Sequence, residues 1–319
     1  MTKSLDLQSQ MAQEFGTSVF DVTLDCEDGA PVGGERRHAD MVATLVNDVF
    51  AKHVGARSQP VRRVAARVHP VTHPAFAQDV AIVVGRVGTH LSHLMLPKIE
   101  TVADVDQALR HIDAASQTAG RTTPLPIHVL VESPLAVANV VALAAHVRVE
   151  SISFGLMDFV SAHGGAIPAA AMQVGVRDGV GDLDQFSHPL VLRAKLEIAS
   201  ACHAFGKTPS HCVVTEFKDA RAMEASARRA SRQLGFTRMW SIHPDQIRPI
   251  LNAFAPDKSE VELASHIVRE AQSAGWAPIS VQGQLHDRAS YRYYWQVLEK
   301  AHQTGQIAPN DPAQRYFEH

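Results

Sequence analysis

The chain has 319 residues, 45% of them hydrophobic, and 30 Lys and Arg stand against 33 Asp and Glu for a net charge of −3. That length suits one large or two smaller globular units, and the near balance of charge excludes a chain built to coat nucleic acid or an anionic membrane. The three cysteines, Cys26, Cys202 and Cys212, are too scattered for a disulfide framework or a zinc site. That pattern fits a reducing cytoplasm, and Cys202 and Cys212 read as buried apolar filler.

Met1–Asp6 lacks the apolar core of a signal peptide. Residues 5–15 permit a helix. Ser18–Leu24 reads as a strand that runs into Asp25, Glu27 and Asp28, and Glu35–Lys52 carries helical periodicity. Arg63–His69 is a strand stopped by Pro70, His73–Val84 a helix, and His93–Lys98 a short strand. Thr101–Ala119 has full helix punctuation, with Thr101 and Asp104 spaced as a capping box and Gly120 as a stop.

Ile127–Val131 is a β-branched run that ends in Glu132, and Pro134–His146 reads as the following helix. Ser151–Met157 repeats the pattern and ends in Asp158. Pro126–Val149, the most apolar span, carries His128, Glu132, Asn139 and His146, a polar load that a membrane-spanning helix rejects. His163–Pro189, with Gly164, Gly165, Gly175, Gly179 and Gly181, is long for a connection and reads as a lid or binding loop. Leu190–Phe205 is a helix, Cys212–Thr215 a strand, Asp219–Leu234 a helix closed by Gly235, and Met239–Pro244 a strand followed by another helix.

The polar strand ends Asp28, Arg67, Lys98, Glu132, Asp158, Thr215 and His243 stand 26 to 39 residues apart, except for a gap of 57 that holds the glycine-rich loop. This cadence predicts a parallel sheet with right-handed crossovers, and seven or eight such units favour a (β/α)₈ TIM barrel with its chemistry at the C-terminal strand ends. No Gly-x-Gly-x-x-Gly follows a strand, which argues against a dinucleotide fold.

Glu132 and Asp158, on neighbouring strands, are the expected ligands of a hard cation such as Mg²⁺. Arg67 offers a planar fork for a substrate carboxylate. Asp25, Glu27 and Asp28 would orient that arginine and the water ligands of the metal. Lys98, among so many carboxylates, reads as a charged support rather than a Schiff-base nucleophile. His69 and His243 read as structural histidines.

Six segments in order resemble one family: Leu24–Asp28, Arg67–His69, Leu96–Glu100, Val131–Pro134, Phe154–Asp158 and Ile242–Ile247. Together they resemble the HpcH/HpaI aldolase and citrate lyase β-subunit family, with the malyl-CoA lyase branch the most similar. The resemblance implies a Mg²⁺-dependent barrel (Mn²⁺ also being usable) that makes or breaks a carbon–carbon bond in a short 3-hydroxy dicarboxyl thioester such as malyl-, citramalyl- or citryl-CoA. It implies Glu132 and Asp158 as metal ligands, Glu132 also contacting substrate, and Arg67 as the keto-acid anchor. It further implies Asp287, in Gly283–Asp287, as general acid/base. The barrel would span 1–256, and a small C-terminal helical extension, 257–319, would cap the site of a neighbouring subunit in a homotrimer or homohexamer. The partners would be a keto acid and an acyl-CoA or acyl carrier protein. Two alternatives remain open at this point, a free 2-keto-acid aldolase and an accessory barrel without catalysis. The family opens with a strand and a Pro-Gly turn absent here, and His69, Trp240 and Ser241 depart from its usual residues.

Overall fold

The structure, a computed structural model, describes residues 1–51, 62–175, 183–307 and 312–317. Seven short runs form the strands of the main sheet: β1 (Val22–Asp25), β2 (Val64–Arg67), β3 (Leu91–Leu96), β4 (Ile127–Val131), β5 (Val149–Phe154), β6 (Thr208–His211) and β7 (Arg238–Met239). They make one sheet in chain order, every neighbouring pair parallel. Helices in the crossovers cover its outer face. That is why β2 and β4 are buried at every position and read as continuous apolar runs rather than as alternation.

The sheet curls until its two edges approach. Arg238 on β7 reaches Asp21, just before β1, at 3.5 Å. The Trp240 ring beyond β7 lies 5.5 Å from the guanidinium of Arg67 at the end of β2. Among the described residues β1 and β7 share no ladder, so the expectation of a closed eight-stranded barrel is corrected to an open, curled sheet of seven. A cavity of about 350 Å³ occupies the curl, with Asp21, Asp25, Arg67, His93, His128 and Arg238 on its wall. Burial pushes His93 down to about 4 despite the Asp21 charge. His128 spans the Ser151 and Ser153 hydroxyls at 2.6 and 2.8 Å, and burial pushes it well below the usual histidine range, so two neutral rings stand beside the charged Asp21 and Arg238.

Local punctuation holds where the side chains supply it. Asp104 N donates to Thr101 Oγ1 at 3.3 Å and Thr101 N to Asp104 Oδ2 at 2.8 Å, starting the helix Val102–Thr118. Asp219 caps Ala220–Leu234, and Gly235 ends it at φ 73°, a conformation that side chains with a Cβ disfavour.

Other boundaries move. The ladder of β6 is Thr208–His211, not Cys212–Thr215. Pro209 sits inside it without an amide hydrogen, yet its carbonyl accepts Thr237 N at 3.2 Å. β7 is two residues long, and beyond it His243 caps Pro244–Gln246 while Ser241 Oγ donates to His243 O at 2.8 Å. The helix expected over Pro134–His146 breaks into Pro134–Ala138 and Val140–Ala145. At the break the Asn139 amide donates to Glu100 O at 2.9 Å. Part of the glycine-rich loop, with Gly179 and Gly181, lies outside the described residues.

Beyond Asp257 the helices Lys258–Ser273 and Arg288–Gln303 pack together. The expected helical extension also contains a hairpin, β8 (Ile279–Val281) and β9 (Gln284–His286). Its turn, Gln282 and Gly283, has φ 52° and 77°, as a two-residue hairpin loop requires. This region has small apolar clusters of its own, around Val261, Val268 and Leu298 and around Ile267, Val281 and Tyr291, apart from the main core. Among the described residues no helix is long and apolar enough to cross a membrane.

Thr101→Ala should remove the cap of the helix Val102–Thr118 and lower stability by about 1 kcal/mol in urea denaturation. Metal affinity should be untouched, since the helix N-terminus bears no site residue.

Candidate metal and substrate site

In the parallel register Asp25 stands opposite Arg67, each the last residue of its strand. The guanidinium takes Asp25 bidentately, Nε to Oδ1 at 2.8 Å and Nη2 to Oδ2 at 2.7 Å. Glu27 meets Nη1 at 2.7 Å and Asp28 meets Nη2 at 2.9 Å. Asp25 also accepts Glu27 N at 3.0 Å and Gly29 N at 3.1 Å, which folds the acidic loop back over the arginine. Burial alone would lower the Arg67 pKa. The Asp25 hydrogen bonds and the charges of Asp25, Glu27 and Asp28 overcome it and raise it, so the cation is fixed. The expected orienting acids are therefore in place, and all three nitrogens of the fork are already engaged.

Pro97 ends β3 in a turn that puts Lys98 at φ 52°, a left-handed conformation rare for a residue with a side chain. The turn aims Lys98 N at Glu132 Oε1, 2.7 Å away. The Lys98 ammonium lies 3.0 Å from Glu27 and 3.8 Å from Asp158. Burial opposes its charge, but the Glu27 hydrogen bond and the surrounding carboxylates raise its pKa, as a supporting cation requires.

Glu132 follows β4 directly and is 5% exposed. It lies against Gly155, where a Cβ would fall 2.4 Å from Glu132 Cβ and 2.6 Å from Oε2, so no larger residue fits while the carboxylate keeps its place. Asp158 is not on a strand end. β5 stops at Phe154, and Asp158 stands in the first turn of the helix Leu156–Ser161 with a half-exposed side chain. One turn of helix still brings it to Lys98. Burial pushes Glu132 up to about 8, with the Asp158 and Glu27 charges adding to the effect and the Lys98 amide opposing it.

Seven of the eight expected side chains thus form one connected cluster. Among the described residues no contact ties Asp287 to it. It caps the helix Arg288–Gln303, its Oδ1 accepting Ala289 N at 3.0 Å and Ser290 N at 3.4 Å. His69 Nδ1 is 2.5 Å from the buried Asp79, and His243 caps Pro244–Gln246, so both have the structural roles expected of them. Sequence reasoning missed Gly155 and the pairing of Trp240 with Arg67. The glycine directly after an apolar strand was the available signal for the first.

Among the described residues no three Asp, Glu, His or Cys side chains form a ready-made metal cage. Two carboxylates, one of them buried and faced by like charge until it favours the proton, fit a hard cation that keeps waters and takes its remaining oxygens from substrate. A soft or imidazole-seeking metal would find no matching donor set here.

The model of the HpcH/HpaI aldolase/citrate lyase family matches residues 5–244. The chain belongs to that family. Among its relatives is the L-malyl-CoA/β-methylmalyl-CoA lyase of Cereibacter sphaeroides, 28% identical over 252 residues, 74% of this chain and 76% of the relative. A citrate lyase structure from Burkholderia xenovorans LB400 is 46% identical, covers 99% of this chain and 92% of its own, and superposes with a TM-score of 0.80. CitE from Mycobacterium tuberculosis, solved with magnesium, acetoacetate and coenzyme A, shares the family fold at 18% identity and a TM-score of 0.62, covering 93% of this chain and 95% of its own.

Glu132→Gln should abolish Mg²⁺ binding in calorimetry while leaving the circular dichroism unchanged. In the native protein Glu132 holds a proton below about pH 8 and Mg²⁺ must expel it. Affinity should therefore fall about tenfold per pH unit on going below that value and level off above it, with one proton released per ion at neutral pH. Gly155→Ala should push Glu132 aside and weaken Mg²⁺ by about tenfold or more.

Proposed function

We propose that this chain is a Mg²⁺-dependent carbon–carbon lyase that cleaves or forms short 3-hydroxy dicarboxyl CoA thioesters, malyl-, citramalyl- or citryl-CoA being the candidate substrates. The observation that carries this reading is the cluster at one mouth of the sheet in which the Lys98 amide holds Glu132, the Lys98 ammonium meets Asp158 and Glu27, and Glu27 ties Lys98 to Arg67. A carboxylate pair beside an arginine fork suits a molecule with a carboxylate next to an oxygen-bearing carbon. The family relatives named as malyl-CoA and citrate lyases, and the neighbour solved with magnesium and coenzyme A, support the substrate class.

Glu132 and Asp158 would hold the ion, with Glu132 also against the substrate's oxygens. When bound, the ion polarises the reacting carbonyl and offsets charge growing on its oxygen. Mn²⁺ accepts the same oxygen ligands and would substitute. Arg67 would bind the keto-acid carboxylate. Its weakest-held partner is Asp28, whose side chain is 76% exposed, and the substrate carboxylate would take that place. Asp25 and Glu27 would keep the fork planar to it, and Lys98 would balance the remaining negative charge.

In the cleavage direction a base takes the proton of the 3-hydroxyl, the C2–C3 bond breaks, and C2 is protonated as the acyl thioester leaves. Asp287 is the proposed acid/base. Both cap bonds fall on its Oδ1, and it would act from residues 257–319 of a neighbouring copy in a homotrimer or homohexamer. Residues 1–256 and 257–319 are accordingly proposed as a catalytic unit and a cap. The three free, buried cysteines suit the cytoplasm as the place of action.

The test is a coupled assay with Mg²⁺ on malyl-, citramalyl- and citryl-CoA and on free 4-hydroxy-2-keto acids. Thioester cleavage that EDTA abolishes is the expected result. Cleavage of the free acids alone would move the chain to pyruvate-type aldolases, and silence on the whole panel would leave an accessory barrel.

A further inference from the structure

The cavity inside the curled sheet is larger than the carboxylate cluster needs. In a closed barrel the inward positions are filled by bulky branched side chains. Here Thr23, Ser153 and Ser210 line the space, and among the described residues β1 and β7 share no ladder, so about 350 Å³ stays open. A water-sized group takes up roughly 30 Å³, so the room suits a chain of several heavy atoms. Asp25 and Arg67 stand in the cavity wall as well as in the carboxylate cluster. Trp240 lines the same wall beside Arg67. The cavity therefore begins at the mouth where Arg67 would hold the keto acid.

Its far end carries a second cation. Asp21 precedes β1 and Asp25 closes it, about 13 Å apart along an extended chain. The Arg238 guanidinium lies 3.5 Å from Asp21, so it stands at the end of the curl away from the rim. Its side chain is 38% exposed. Asp21 is mostly committed elsewhere, since Arg63 takes both of its oxygens, Nε to Oδ1 at 2.6 Å and Nη2 to Oδ2 at 3.2 Å. Among the described residues Arg238 has no second carboxylate within ion-pair reach, and a guanidinium offers several donors. Two arginines thus face one carboxylate, and Arg238 keeps room for another.

The floor is held in place. Gln8, on the helix Thr2–Phe15, donates to Phe20 O at 2.9 Å and to Arg63 O at 2.7 Å, which ties that helix across the start of β1 and β2. Between rim and floor the lining is uncharged. Met95 and Met239 offer apolar surface, and Ser153, Ser210 and the neutral rings of His93 and His128 offer dipoles. Such a lining suits methylenes that lead to a charged end.

A 2-keto acid with its carboxylate on Arg67 and its keto oxygen toward the proposed ion has one substituent left to place. In malyl-, citramalyl- and citryl-CoA that substituent is a hydrogen, a methyl and a carboxymethyl group, and none of these fills the cavity. We propose that the curl holds this substituent and that Arg238 binds a carboxylate at its end, so that the keto-acid half of the substrate is a 2-oxo diacid with two or more methylenes. The inference rests on the lyase reading above and deepens it by naming the class of keto acid. The reacting atoms are unchanged: the 3-hydroxyl loses its proton, the C2–C3 bond breaks, C2 is protonated, and the diacid leaves with the new carbonyl.

The test measures binding of 2-oxo acids to the full-length, Mg²⁺-loaded protein by calorimetry. 2-Oxoglutarate and 2-oxoadipate should bind about tenfold or more tighter than 2-oxopentanoate and 2-oxohexanoate, which match them in chain length but lack the second carboxylate. Arg238→Gln should erase that preference and leave the monoacids within about twofold of the wild type. Arg238→Lys, which keeps the charge, should retain part of it. Mg²⁺ affinity and circular dichroism check the fold of each variant, and the wild-type series stands without any variant. With acetyl-CoA, 2-oxoadipate should give a higher kcat/KM for condensation than pyruvate. Monoacids bound by the wild type as tightly as the diacids, or a preference that survives in Arg238→Gln, would overturn the pocket assignment while thioester cleavage keeps the lyase reading standing. A wild type that binds no 2-oxo acid and cleaves no thioester would overturn the lyase reading and the pocket with it.

Discussion

Arg67 gathers Asp25, Glu27 and Asp28 around one guanidinium, and the rest of the mouth is arranged by that choice. Three carboxylates within one loop repel each other, and a buried arginine without partners is expensive to desolvate. Each condition is tolerable only because of the other. The parallel register of β1 and β2 makes the pairing unavoidable, since it sets Asp25 and Arg67 side by side. Glu27 is shared onward with Lys98, and Lys98 with Asp158, so charge is balanced along a chain of contacts rather than in isolated pairs.

The mouth also stores local cost. Lys98 adopts a left-handed backbone to turn its amide toward Glu132. Glu132 stays buried among other acids, where its proton is favoured up to about pH 8. Gly155 gives up a side chain to make room for it. None of these helps the chain fold. A cation held between Glu132 and Asp158, as proposed, would offset the cost of burying Glu132, and such local cost gathered at one mouth marks a candidate site for a charged ligand.

The βα rhythm was legible because buried parallel strands are short apolar runs and their helices carry explicit caps. Thr101 with Asp104, Asp219 and Gly235 all act as their sequence positions suggest. The candidate site residues were legible for a related reason, since polar residues that end apolar runs can reach only the sheet mouth. Closure was not. Strand cadence counts units, but it does not say whether β1 and β7 pair, and among the described residues side chains such as Arg238 and Asp21, not a ladder, span the two edges. β6 was misplaced because Cys212–Thr215 looks more strand-like than Thr208–His211, whereas the ladder is decided by which carbonyls meet a neighbour.

The sequence by itself determined the parallel α/β class, the family, the cations Arg67 and Lys98 and the acids around them, because these depend on residue type and spacing along the chain. Only the tertiary structure decided that the sheet stays open, that Asp158 rides on a helix, that Gly155 makes room for Glu132, and that Asp287 caps a helix apart from the cluster. It also decided that Arg67 and Arg238 line one cavity. These are matters of through-space distance between residues far apart in the chain, and local pattern carries no record of that distance.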